Sequence, residues 1–190
     1  MKKLQFLTIC FSFLSAICFA QEDKTYSVEN SIYGLQTGLL GVWVYNETKL
    51  NNEFTLKTEI GLDGGYSYSD FDSPKSQYIL VPSLSLEPRW YYNFAKRDKR
   101  GKSIKKNAAN YLTVKTIYNP DWFKISNAEN ISGAHVLRII PSWGLHRNLG
   151  SNFDFDVRLG FGYGFASNNT NVASGFLGDI SVRFGYIFKR

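Results

Sequence analysis

The sequence predicts an all-β fold, an antiparallel up-and-down β-barrel of eight strands that crosses a membrane. Three observations carry that prediction. In Phe153–Phe165, the residues Phe153, Phe155, Val157, Leu159, Phe161, Tyr163 and Phe165 alternate with Asp154, Asp156, Arg158, Gly160, Gly162 and Gly164. Such period-2 alternation gives a strand with one apolar and one polar face. The stretch is longer than the roughly five or six residues of an average globular strand and suits the roughly 9–11 of a membrane-spanning one. The last stretch repeats the pattern, with Ile180, Val182, Phe184, Tyr186 and Phe188 against Asp179, Ser181, Arg183 and Gly185. The third observation is composition. The chain holds 16 Gly, 12 Tyr, 15 Phe and 4 Trp, and past position 20 no run is long and apolar enough for a transmembrane helix.

Residues 1–20 read as a secretory signal peptide. Lys2 and Lys3 form its charged start, Leu4–Ile17 its mostly apolar core, and Cys18-Phe-Ala20 places small residues before Gln21. A transmembrane helix fits less well, because Gln5, Thr8, Ser12 and Ser15 interrupt a short segment. A lipoprotein start at Cys18 would want a small residue where Ile17 stands. Both cysteines, Cys10 and Cys18, lie in this segment, so the mature chain has no disulfide, thiolate metal site or cysteine nucleophile. Cleavage takes Lys2 and Lys3 from the 22 basic residues and none of the 16 acidic ones, leaving a mild net charge of +4 that does not point to nucleic acid. Residues 21–190 show no composition shift and are expected to form one barrel domain.

In chain order, Thr25–Tyr33 is expected as a short first strand, Gly34–Gly38 as a turn, and Leu39–Thr48 as a second strand; Tyr33–Glu47 as a single strand is the open alternative. Lys49–Asn52 is a tight turn, since asparagine tolerates left-handed backbone angles. Glu53–Tyr68 alternates as a third strand, and Ser69–Ser76 is a polar loop. Gln77–Phe94 alternates as a fourth, where Pro82 and Pro88 predict bends or gaps in the ladder. Ala95–Ala108 is the most basic segment and is expected as a solvated loop. Asn110–Tyr118 and Ala134–His146 are strands flanking a loop at 119–133. A turn at Arg147–Asn152, the Phe153 strand, a polar tip at Ser167–Ser174 and a closing strand at Gly175–Lys189 complete the chain.

Seven strands are clear, and an even number is expected of a bacterial single-chain barrel, hence eight. With the last strand running toward the periplasm, turns 49–52, 95–108 and 147–152 share that end, and loops 34–38, 69–76, 120–133 and 168–174 the other. The aromatics then form two girdles: Trp43, Trp90, Tyr92, Trp143, Tyr186 and Phe188 at the periplasmic end, and Tyr66, Tyr68, Trp122, Tyr163 and Phe165 at the outer end.

The signal peptide ending Cys18-Phe-Ala20, the Gly160-Phe-Gly-Tyr-Gly164 strand and the closing Arg183-Phe-Gly-Tyr-Ile-Phe-Lys-Arg190 resemble the small eight-stranded outer-membrane barrels of Gram-negative bacteria, the OmpA/OmpX-like "porin family" or outer-membrane β-barrel domain proteins. The resemblance covers the mature chain as a pattern. It implies residence in the cell outer membrane, contact with its lipids, a monomer, and a C-terminal strand read by the barrel-assembly machinery, although Lys189 and Arg190 follow the terminal aromatic Phe188. It implies no cofactor. Leu86-Glu-Pro-Arg-Trp-Tyr-Tyr-Asn93 looks like a family signature, with no function attached.

Alternation turns Lys57, Glu59, Glu87, Arg89, Lys115, Arg138, Asp154, Asp156, Arg158, Asp179 and Arg183 inward. An eight-stranded interior is just wide enough for side chains to fill. The expected role is structural, a network of paired charges plugging the lumen, because an unpaired charge there would be costly. A narrow ion path is the alternative. Asp154 and Asp156 as an acid–base pair would have no room for substrate. Ser142, Gly144 and His146 share a strand face and His135 takes the other. A serine and histidine four apart on a strand stand about 13 Å apart, too far for nucleophile and base. No catalytic or metal residue is therefore assigned. Asn46-Glu-Thr48 and Asn168-Asn-Thr170 match the glycosylation sequon by chance.

Three functions follow. The first is a non-enzymatic barrel with a structural or surface-interaction role. The second is a small channel or passive transporter, its lumen widened by inward glycines. The third is a lipid-modifying enzyme, by fold-level analogy alone. The basic segment 96–106 could touch anionic lipid headgroups or a polyanion, and without interleaved aromatics it does not fit nucleic acid.

Overall fold

The computed structural model describes residues 26–69, 75–128, 133–168 and 172–188, with backbone alone at 67–69 and 75. The signal-peptide reading of residues 1–20, the Tyr68 side chain, much of the 69–76 loop and of the 168–174 tip, and the last two residues of the chain lie outside them.

The long strands are β1 (Ser31–Gly38), β2 (Gly41–Lys49), β3 (Phe54–Ser69), β4 (Lys75–Trp90), β5 (Asn110–Asn119), β7 (His135–Leu149), β8 (Phe153–Ser167) and β9 (Val172–Ile187); β6 (Ile125–Ser126) is a two-residue strand. Every pairing is antiparallel. β1 pairs with both β2 and β9, and β3 with β4, so the sheet closes into a ring in up-and-down order. β6 sits in the β5–β7 connection and pairs with Ile79 and Leu80 of β4. It covers the part of β4 that runs beyond the end of β5, where unpaired backbone groups would form an exposed edge.

The alternation predicted for the third to last strands matches the burial, polar residues inward and apolar ones outward. The start differs. Gly34–Gly38 is part of β1, and the chain reverses at Leu39-Leu40 between the paired Gly38 and Gly41. Gly34 serves packing, not turning: a Cβ there would lie 2.5 Å from the inward Tyr45 ring. The turn glycine is Gly41, with φ of 148°. Thr25–Tyr33 is therefore not the first strand; β1 begins at Ser31.

Of the two prolines expected to interrupt the ladder, Pro88 does, while Pro82 stays paired with Leu62 of β3. The β4–β5 register runs from Leu84–Tyr118 to Leu86–Thr116 and resumes at Arg89–Thr113, with the gap at Pro88. Pro141 makes a similar gap between Ile139–Tyr163 and Ser142–Gly160 in the β7–β8 pair. Proline has no N–H to donate.

The basic segment is solvated as expected, with Lys96, Lys99, Arg100, Lys102 and Lys105 exposed, but it is not a plain loop. It forms helix α1 (Phe94–Asp98) and a 3₁₀ turn (Lys105–Asn107). Phe94 joins Val28, Tyr91, Ala109 and Tyr111 in a buried cluster, with Tyr26 and Ile104 against it. Phe94, just before the charge run, anchors the segment to the ring.

Candidate functional site

The ring interior is polar and charged. Every predicted inward charge is on that side, and Glu47, Asp63, Gln36 and His146 join them. Glu59 is the hub of one half. It is paired with Lys57 at 2.8 Å, with Arg183 at 2.8 Å and with Lys115, and accepts the Ser85 hydroxyl at 2.7 Å. Arg89 is the hub of the other half. It meets Asp156 at 3.0 Å, Glu87 at 3.2 Å and Glu47 at 3.7 Å, and lies over the Tyr111 ring at 4.1 Å. Glu87 connects the halves, with Lys115 at 3.5 Å and Arg158 at 3.6 Å. Arg158 also donates to Asp179 from Nε and Nη2 at 3.0 and 2.9 Å.

Asp154 has a different environment. It accepts from the Tyr45 hydroxyl at 2.9 Å and from Gln36 at 3.3 Å, while Asp156 accepts from Tyr111 at 2.8 Å. The two carboxylates thus take different donors within the network, which is not the arrangement of an acid–base pair. Ser142 donates to Ile140 O at 3.1 Å, and His146 Nδ1 faces Asp156 at 3.4 Å, so Ser142 and His146 are not brought together. His135 is outside, stacked on Tyr118 and bonded to its hydroxyl at 2.9 Å. Among the described residues no group of His, Cys, Asp and Glu could hold a metal.

One end of this interior is finished by Glu47, which accepts from Thr55 at 2.8 Å, Tyr91 at 2.7 Å and Asn107 at 2.8 Å. Burial, and then the Glu47 carboxylate, hold the Tyr91 phenol well above its ordinary pKa, so it stays a donor. At the other end Asp63 accepts from Trp43 at 2.8 Å, Asn119 at 3.2 Å and Arg138 at 2.6 Å.

Two expectations need correction. Trp43 is not a girdle residue: it is buried inside, with Arg183 over its ring at 3.7 Å. Two of the inward glycines, Gly34 and Gly144, do not widen the lumen. A Cβ on Gly144 would lie 2.3 Å from the Tyr111 ring, as the one on Gly34 would meet Tyr45. Glycine here admits a large side chain from the next strand. Polarity alternation alone missed Tyr45, Tyr91 and Tyr111 as interior residues because tyrosine fits either face. The segment Leu86–Asn93 now has a physical account. Glu87, Arg89 and Tyr91 build the network inside while Pro88, Trp90 and Tyr92 face out, and Asn93 accepts the Asn110 N–H at 2.9 Å as the chain turns.

No family model, curated protein or solved structure matches this chain.

Proposed function

We propose that this chain is a non-enzymatic outer-membrane β-barrel protein, exported by a signal peptide at residues 1–20, with a lumen plugged by its own charges and a structural or surface-interaction role. The reading rests on one observation, inverted polarity. Phe161, Phe176 and Ile180 are 63%, 76% and 79% exposed on the outside of the ring, while Glu87 and Arg89 are 0% and 1% exposed within it. In water this arrangement forfeits about 25 cal/mol for each Å² of apolar surface left wet. In a bilayer it is the stable one, since a closed ring of strands satisfies its backbone hydrogen bonds internally.

Outward aromatics toward both strand ends support the same reading. Trp90, Tyr92, Trp143, Tyr186 and Phe188 lie toward one end and Tyr66, Tyr78, Tyr118 and Phe165 toward the other, as interfacial belts require. The plug is favoured over a pore because the interior cations all meet carboxylates and the Phe94 cluster fills one end. Outer-membrane lipids and the barrel-assembly machinery acting on the C-terminal strand are the proposed partners, and the protein is a monomer.

The test is electrophoresis of detergent-extracted protein with and without boiling, alongside outer-membrane fractionation. The expected result is a band that shifts on heating and an outer-membrane location. An unshifted band with release into the soluble periplasm would end the membrane reading. Single-channel recording in planar bilayers then separates plug from pore; steady unit conductance from the folded protein would replace the plug by a channel.

A further inference from the structure

One site lies on the outside of the ring, where β5 and β7 reach the end capped by α1. Leu112 pairs with Trp143 and Asn110 with Leu145, and Arg147 follows on the same outward face. Beyond it, Lys96, Arg97, Arg100, Lys102 and Arg147 surround a recess of about 480 Å³, with Tyr92 at its rim. The interior cations meet carboxylates, but among the described residues none of these five is in an ion pair. Arg97 donates from Nη2 to Ser103 O at 2.9 Å, and its Nε is buried with no hydrogen-bond partner. Arg147 is held by His146 O at 2.7 Å and Asn110 Oδ1 at 2.5 Å, which orients its guanidinium. Concentrated cations without carboxylate partners call for an anion with several acceptor oxygens.

A second feature adjoins the first. The ladder gap at Pro141 adjoins a shallow, open hollow on the apolar face, the Pro141 groove, lined by Leu112, Pro141, Trp143, Leu159 and Phe161. The two are joined by the Trp143 indole, which donates to the Tyr92 hydroxyl at 2.8 Å. Arg147 lies four residues from Trp143 and six from Pro141, about 13 and 20 Å along a strand. Apolar groove, interfacial aromatics and basic recess follow one another in the order a lipid presents acyl chain, glycerol and phosphate.

We propose that this composite binds one anionic glycerophospholipid, its phosphate on Arg97 and Arg147 and an acyl chain in the Pro141 groove. The proposal rests on the membrane reading above. It is tested with the full-length protein, purified in detergent, stripped of lipid, and given phosphatidylglycerol or phosphatidylcholine with identical chains. Retained lipid is counted by native mass spectrometry, and each sample is also run on the heat-shift gel. Wild type is expected to keep phosphatidylglycerol about tenfold or more over phosphatidylcholine, and R97Q/R147Q to lose that preference while its band still shifts. Glycerol 3-phosphate is expected to compete poorly, because it lacks the acyl chain; full displacement by it would replace the lipid by a soluble phosphate ligand. Equal retention of both lipids, or an unchanged preference in the variant, overturns the site and leaves the barrel standing. A wild-type band that does not shift overturns both. Should R97Q/R147Q fail to fold, K96Q/R100Q/K102Q, confined to polar residues of the basic segment, carries the same comparison.

Discussion

At the end of the ring where β4 leads into β5, the chain folds back across the opening. Residues 91–111 set Phe94, Ala109 and the rings of Tyr91 and Tyr111 over the interior, and Glu47 is tied to that layer by Tyr91 and Asn107. At the opposite end the interior finishes in a polar group. Asp63 and Arg138 are 18% and 26% exposed at their side chains, and Trp43 and Asn119 complete their bonding. The first end is closed by buried apolar contact and by charges shut away from water. The second is closed by charges that water still reaches. The same kinds of residue therefore carry different energies at the two ends, because the dielectric around them differs.

That contrast is tested most severely at Arg89, which lies beneath the closed end. Arg89→Ala leaves Glu47, Glu87 and Asp156 without their shared cation and should cost about 3–5 kcal/mol, read as an earlier transition in detergent-based chemical unfolding. A loss under 1 kcal/mol would mean that the closed end is not dry. Phe94→Ala removes the apolar anchor of the cap and should cost about 3 kcal/mol by the same assay. No change would show that the cap does not bear on stability.

Gly144→Val forces a side chain against the Tyr111 ring and should cost about 1–3 kcal/mol. The cost should shrink in a Tyr111→Leu background, and an undiminished cost would mean that the contact with that ring is not the cause. The smallest effect belongs to the open end. Arg138→Ala should cost no more than about 1 kcal/mol and less in high salt. A loss equal to that of Arg89→Ala would erase the distinction between the ends.

Much of this was legible in the chain. From β3 onward the alternation assigned faces correctly, and Glu59, Glu87, Arg89, Asp156 and Arg158 were placed inside before any partner was known. The gap at Pro88 was legible too, since a missing N–H is a local property. Glu47 and Gln36 were not, because the division of residues 25–48 stayed open, and a one-residue change of register reverses every face. Trp43 was misread as interfacial: a large ring with a polar edge suits a membrane boundary and a charged interior equally well. Phe94 was read as the end of the fourth strand, because alternation alone does not show that the chain leaves the sheet after Trp90.

By itself, the sequence determined which residues form strands, which faces those strands present, and that charge collects on one of them. These follow from the two-residue repeat and from polarity, both readable along the chain. Only the tertiary structure decided which charge meets which, that glycines on one strand admit tyrosines from the next, and that a basic segment caps one end while leaving five cations around an outward recess. Those outcomes depend on register across strands far apart in sequence, and on the space that ring closure leaves, which no local pattern encodes.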